Sequence, residues 1–146
     1  MAFRFALAAL LRYRESIEER EDLLLRNAQQ EVTAIRSQIA QIREQRQLLI
    51  QSAENALSAG VIASELHSFM LQRQHMEQAI EQLGVKLKDA EKRRDQQREA
   101  YQVARQEREV LSIMRDRQLR AYEIEEARRQ QSQLDDLFLS RRKHDK

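Results

Sequence analysis

The chain has 146 residues, of which 34% are Asp, Glu, Lys or Arg, with two glycines, no proline, no cysteine, no tryptophan and a formal net charge of +2. That profile belongs to long helices or coiled coil rather than to a thick globular core, and a narrow helical seam is a poor frame for the concave pocket that catalysis needs. Without cysteine there are no disulfides or thiolate metal sites, which fits a reducing compartment.

The chain opens on an apolar run, Phe5 to Leu11, flanked by Arg4 and Arg12. It is short for a signal-peptide core and lacks a cleavage region after it, so it reads as the start of a helix. It is far too short to span a membrane. A lipid-facing role is weaker still, because Phe3, Leu7, Leu10 and Leu11 fall at seam spacing.

Helix 1 is expected from about residue 3 to 58. Its seam steps by three and four through Leu7, Leu10, Arg14, Ile17, Glu21, Leu24 and Ala28, takes an extra step of four to Val32, and resumes at Ile35, Ile39, Ile42, Arg46, Leu49, Ala53 and Ala56. The average near 3.5 is the left-handed coiled-coil period. The extra step predicts a stutter between Leu24 and Val32, where the supercoil unwinds. Such a helix is about 80–85 Å long.

Asn55 to Ser64 carries no charge and holds Gly60. It is read as the single turn of a hairpin, at about 59–63, with Gly60 as the left-handed residue after helix 1. Ser58 or Ser64 is the expected cap of the next helix. The competing reading is one unbroken helix with a tolerated glycine.

Helix 2 is expected over about 64–139, with a seam through Ile62, Leu66, Phe69, Arg73, Met76, Ile80, Leu83, Leu87, Ala90, Arg94, Gln97, Tyr101, Ala104, Arg108 and Leu111. Gly84 lies off it and weakens the helix without ending it. Folding about Gly60 brings Ile42 near Gln78, Leu24 near Gln96 and Leu7 near Ile113, with Glu21 facing Arg94 and Arg98. The expected packing is firm near the turn, looser in the polar middle, and closed by a clasp of Leu7, Leu10 and Leu11 on Val110, Leu111, Ile113 and Met114. Beyond about Arg117, helix 2 outruns helix 1, leaving Tyr122, Ile124, Leu134, Leu137, Phe138 and Leu139 as an unpaired overhang, and exposed apolar sets of that kind mark partner surfaces. Residues 140–146 read as a frayed tail.

No catalytic motif stands out. His67 and His75 are roughly two turns apart, about 12 Å along one helix, too far for one metal; His144 is in the tail. Neither glycine belongs to a phosphate-binding loop. Asp22–Arg26, Asp89–Arg93, Asp116–Arg120 and Glu125–Arg129 have the favourable acid-first i, i+4 spacing of a solvated face. Residues 91–120 carry nine basic and six acidic side chains. Arg93, Arg94, Arg98, Arg105 and Arg108, with Lys92, form a candidate basic stripe. Interleaved acids and few aromatics argue against nucleic acid and favour an acidic protein partner.

These residues carry a resemblance. Phe3-Arg4-Phe5-Ala6-Leu7, Leu10-Leu11-Arg12-Tyr13-Arg14-Glu15, Glu18-Glu19-Arg20-Glu21, Gly60-Val61-Ile62-Ala63-Ser64, Met76-Glu77-Gln78-Ala79-Ile80-Glu81-Gln82 and Gln131-Ser132-Gln133-Leu134-Asp135-Asp136-Leu137 together resemble the flagellar export protein FliJ family over essentially the whole chain. Asp135-Asp136 stands where that family has Asp-Glu. The resemblance implies an all-α antiparallel two-helix coiled coil, a single domain with a C-terminal single-helix extension, similar to the gamma stalk of rotary ATPases. It implies a non-catalytic, cofactor-free component of the type III export apparatus, cytoplasmic and peripheral to the inner membrane. The implied partners are the hexameric export ATPase, the export gate and export chaperones, with no nucleic acid, and a monomer rather than a homodimer. On that reading Leu7, Leu10, Leu11, Leu134, Leu137 and Phe138 contact the ATPase. Phe69, Met70 and Met76 near the turn, and Arg93, Arg94, Arg98 and Arg105, are set aside for the gate or chaperones. The alternatives are a structural scaffold or tether, or a nucleic-acid-binding helical protein.

Overall fold

A computed structural model describes residues 2–144. Two helices, α1 (Ala8–Ala59) and α2 (Ala63–His144), pack antiparallel as an all-α hairpin. No proline interrupts either, and Gly84 sits within α2 without breaking it. The chain divides into two compact units, one of Glu21–Tyr101 and one of Met1–Arg20 with Gln102–Lys146.

In the first unit α1 ends at Ala59, and Gly60 takes a φ of 85°, the left-handed region that costs glycine little. Its N–H donates to the Leu57 carbonyl at 3.3 Å. Neither serine caps α2. Ser58 Oγ donates back to the Glu54 carbonyl within α1, Ser64 is already inside α2, and the Ile62 carbonyl accepts from Glu65 and Leu66 at the start of α2. Glu65 in the first turn places a negative charge at the positive end of the helix dipole.

The seam on α1 has no stutter. Leu11, Arg14, Glu18, Glu21, Leu25, Ala28 and Val32, then the predicted series to Ala56, are buried or half-buried and alternate three and four throughout, with Ile17, Asp22 and Ile50 half-buried beside them. Sequence reading favours Leu10, Ile17 and Leu24 because they are apolar. The helix instead turns Leu11, Glu18 and Leu25 inward, and α2 supplies partners for Glu18 and for Glu21, which its spacing already places in the seam. Gln97 Nε2 donates to the carboxylate and the carbonyl of Glu21, so the expected pairing of Glu21 with Arg94 and Arg98 is replaced by an amide between them.

The order of firmness is also different from that expected. Val32 and Ala90 are the most deeply buried side chains, at 2% and 1% exposure, and none of the residues between Ile39 and Ala90 is buried. Alanine lets two helix backbones approach closely, whereas Leu49, Leu66 and Phe69 near the turn are too bulky for a two-stranded seam to enclose.

In the second unit α1 begins at Ala8 rather than near Phe3. Residues 2–5 are irregular, and a turn leads into the helix, with Leu11 N–H donating to the Leu7 carbonyl. Phe5, Leu11 and Leu111 form the buried cluster, with Phe3 and Ala8 packed against it, and Phe3 also meets Tyr122 at a ring separation of 5.6 Å. Non-helical backbone lets Phe3 and Phe5 serve one face, which their i, i+2 spacing forbids in a helix. The clasp is therefore built by Phe5, while Leu7, Leu10, Val110, Ile113 and Met114 are exposed.

α2 continues through residues 140–144, read from sequence as frayed; Asp145 and Lys146 lie outside the described residues. Its last turn holds Arg141, Arg142, Lys143 and His144, cations that suit the negative end of the helix dipole.

Candidate docking surfaces

The C-terminal arm of α2 carries the most exposed large apolar side chain, Phe138 at 67%, with Leu134, Leu137 and Leu139 beside it. Leu134, Leu137 and Phe138 are at i, i+3 and i+4, so they share one face. The arm begins later than expected, because Phe3 covers Tyr122. Past Glu126 every described side chain is exposed.

The six residues assigned to one terminal surface are not brought together. Leu11 is buried in the clasp beside Leu111, and Leu7 and Leu10 flank it at 37% and 40% exposure. Leu134 lies about 35 Å along α2 from Leu111, from 23 residues of helical rise. Phe5, which sequence reasoning missed, owes its burial to the chain's entry into α1. Its place at the head of the apolar run was the only signal.

Near the turn, Leu49, Ile50, Leu57, Leu66, Phe69 and Met70 line an open, mostly apolar groove, to which Glu54 and Arg73 add charged side chains. Of the three residues expected there, Phe69 and Met70 line it, and Met70 also borders a second hollow with His67 and Glu77. Met76 is half-buried in the seam and lines neither of these. The α1 wall has no signal of its own in the sequence, because Leu49 is an ordinary seam residue by spacing and Ile50 its neighbour.

The candidate arginines are matched by carboxylates. Arg93 reaches Glu31 across the hairpin at 2.8 Å, and Arg36 reaches Glu91 at 3.0 Å. Arg94 pairs with Asp95 at 3.0 Å, Arg98 stands 4.0 Å from the same Asp95, and Arg105 pairs with Glu109 at 2.9 Å. Of the four i, i+4 pairs expected, Asp22–Arg26 and Glu125–Arg129 form; Arg93 prefers Glu31, and Asp116 pairs with Arg115. In the second unit Glu18 accepts from Arg108 Nε at 2.6 Å and from Nη2 at 3.1 Å, a forked pair that raises the Arg108 pKa above its ordinary value through that hydrogen bond. Arg14 and Glu107 form a second cross-helix pair.

Among the described residues no cluster of His, Cys, Asp or Glu has metal-site geometry, and no helix is long and apolar enough to cross a membrane. The fold and these surfaces define a helical hairpin that fits a coiled coil, with apolar side chains exposed at its C-terminal arm and beside its turn. The chain belongs to the flagellar FliJ protein family, whose model matches residues 3–145. That membership makes it a component of the flagellar export apparatus. No curated protein and no solved structure matches it.

Proposed function

We propose that the chain is a non-catalytic stalk or coupling subunit of the flagellar type III export apparatus, acting in the cytoplasm at the inner membrane. The observation that carries this reading is the C-terminal arm, where Leu134, Leu137 and Phe138 form an apolar face beyond the clasp. A helix face of that kind suits insertion into a protein ring, where apolar anchors supply most of the binding energy. The hexameric export ATPase is the partner assigned to it. Leu7 and Leu10, beside the clasp, belong to a separate contact.

The groove at Phe69 and Met70 is assigned to the export gate or an export chaperone. Methionine suits such a role because its flexible thioether adapts to more than one partner. Arg93, Arg94 and Arg105 already hold carboxylates, so an acidic partner must displace Glu31, Asp95 or Glu109. The same pairing disfavours a nucleic-acid role.

The test is capture of the export ATPase on this chain, with ATP turnover measured in its presence and absence. Association and a several-fold rise in turnover are expected, both lost in a Leu134→Ser/Phe138→Ser variant. No association and unchanged hydrolysis would remove the reading and leave a structural tether. Hydrolysis by the isolated chain would overturn its non-catalytic part.

A further inference from the structure

Along α2 a second 3,4 stripe runs on the face turned away from the hairpin seam. Its first half is Val103, Gln106, Val110, Ile113 and Arg117. Its second half is Arg120, Ile124, Ala127, Gln131 and Leu134. All ten are exposed, and Val103, Val110, Ile113, Ile124 and Leu134 each leave half or more of their surface in solvent. The inward series through Ala104, Arg108 and Leu111 lies on the opposite side, since residues two apart on a helix point about 200° apart.

The two halves are mirror images in polarity about the step from Arg117 to Arg120. We propose that this stripe pairs antiparallel with the same stripe of a second copy. In an antiparallel coiled coil each first core position faces a second core position of the partner. Centred on that step, Val103 meets Leu134, Gln106 meets Gln131, and Val110 meets Ala127. Ile113 meets Ile124, and Arg117 meets Arg120. Every apolar side chain faces an apolar one and every glutamine a glutamine, over about 47 Å of helix. A parallel pair matches any sequence to itself and leaves the mirror pattern without a cause.

The central arginines fit the same arrangement. Among the described residues Arg117 and Arg120 make no ion pair within the chain. Asp116 and Glu123, both exposed, precede Arg117 and Ile124 on the flank of the stripe. Two copies gather four guanidinium groups at the centre with four carboxylates beside them, Glu123 and, once it exchanges its 3.5 Å contact with Arg115, Asp116 from each chain. The pairing departs from the monomer expected from sequence. It also draws on Leu134, so paired copies hold that side chain away from the ATPase proposed above. The experiment uses this chain alone, so the two proposals fail separately.

Sedimentation equilibrium over a concentration series should show the mass rising toward twice that of the monomer. Ile113→Glu/Ile124→Glu should hold it at the monomer mass with unchanged helical circular dichroism. Arg117→Glu/Arg120→Glu should weaken pairing at least tenfold, and adding Asp116→Arg/Glu123→Arg should restore it. Orientation is read by oxidation, since the chain has no cysteine. A Val103→Cys chain mixed with a Leu134→Cys chain should form a mixed disulfide, and Val103→Cys alone should not cross-link. A monomer at every concentration, or cross-linking of Val103→Cys with itself, would overturn the proposal.

Discussion

At the scale of single residues, what separates neighbours is which side of the helix the seam takes. Leu10 and Leu11 are chemically the same, yet Leu11 is buried with Phe5 and Leu111 while Leu10 is 40% exposed. Leu11→Ala should therefore lower the unfolding free energy by about 2–4 kcal/mol through lost burial and the cavity left behind, and Leu10→Ala by under about 1 kcal/mol. Urea titrations of both variants check this. The Glu18–Arg108 pair is the best-formed charged contact, with both side chains about three-quarters covered. A double-mutant cycle with Glu18→Gln and Arg108→Gln should return a coupling of about 1 kcal/mol, smaller at high salt because part of the pair remains wet. Spacing already places Glu21 in the seam, but neither inward Glu18 nor buried Phe5 was legible in the sequence. A hydropathy pattern scores Glu18 as surface, and it cannot know that α2 offers Arg108 opposite it.

At the scale of elements, the two glycines behave oppositely, although both have room for a Cβ within 4 Å. Gly60 holds a positive φ at the end of α1, so Gly60→Ala should cost about 1–2 kcal/mol from backbone strain alone. Gly84 is helical, so Gly84→Ala should stabilise α2 by up to about 1 kcal/mol. Thermal unfolding of the two variants should move in opposite directions. The hairpin, its turn and the 3,4 period were legible because they need only local chemistry: a helix-permissive composition, one uncharged stretch and one glycine. The expected stutter comes from stepping through Leu10, Ile17 and Leu24, one residue before Leu11, Glu18 and Leu25, at every other turn. With Leu11, Glu18 and Leu25 in those places, the alternation from Leu11 to Ala56 is unbroken. The start of α1 was misplaced for a related reason: Phe3 to Leu7 has helical propensity, but burial of Phe5 on Leu111 outweighs it.

At the scale of the whole molecule, the proposed function makes stability and docking draw on different residues. Past Glu126 each described side chain is exposed, so deleting 127–146 should leave the unfolding free energy, measured at concentrations where the chain is single, within about 0.5 kcal/mol of the full chain. The same deletion should abolish ATPase association, and a large loss of stability on deletion would show that the arm is part of the fold. By itself the sequence determined that this is a helical hairpin of the flagellar FliJ family. Periodicity, composition and turn chemistry are properties of the chain, and family likeness is carried by residue order. Only the tertiary structure decided which positions of each helix face inward, that Leu11 is core while Leu7 and Leu10 are not, and that the clasp and the C-terminal arm are separate surfaces. It also decided that the turn end is an open groove while Val32 and Ala90 are the tightest points. Those outcomes depend on what stands opposite each side chain, because burial and pairing are properties of two segments together and not of either one alone.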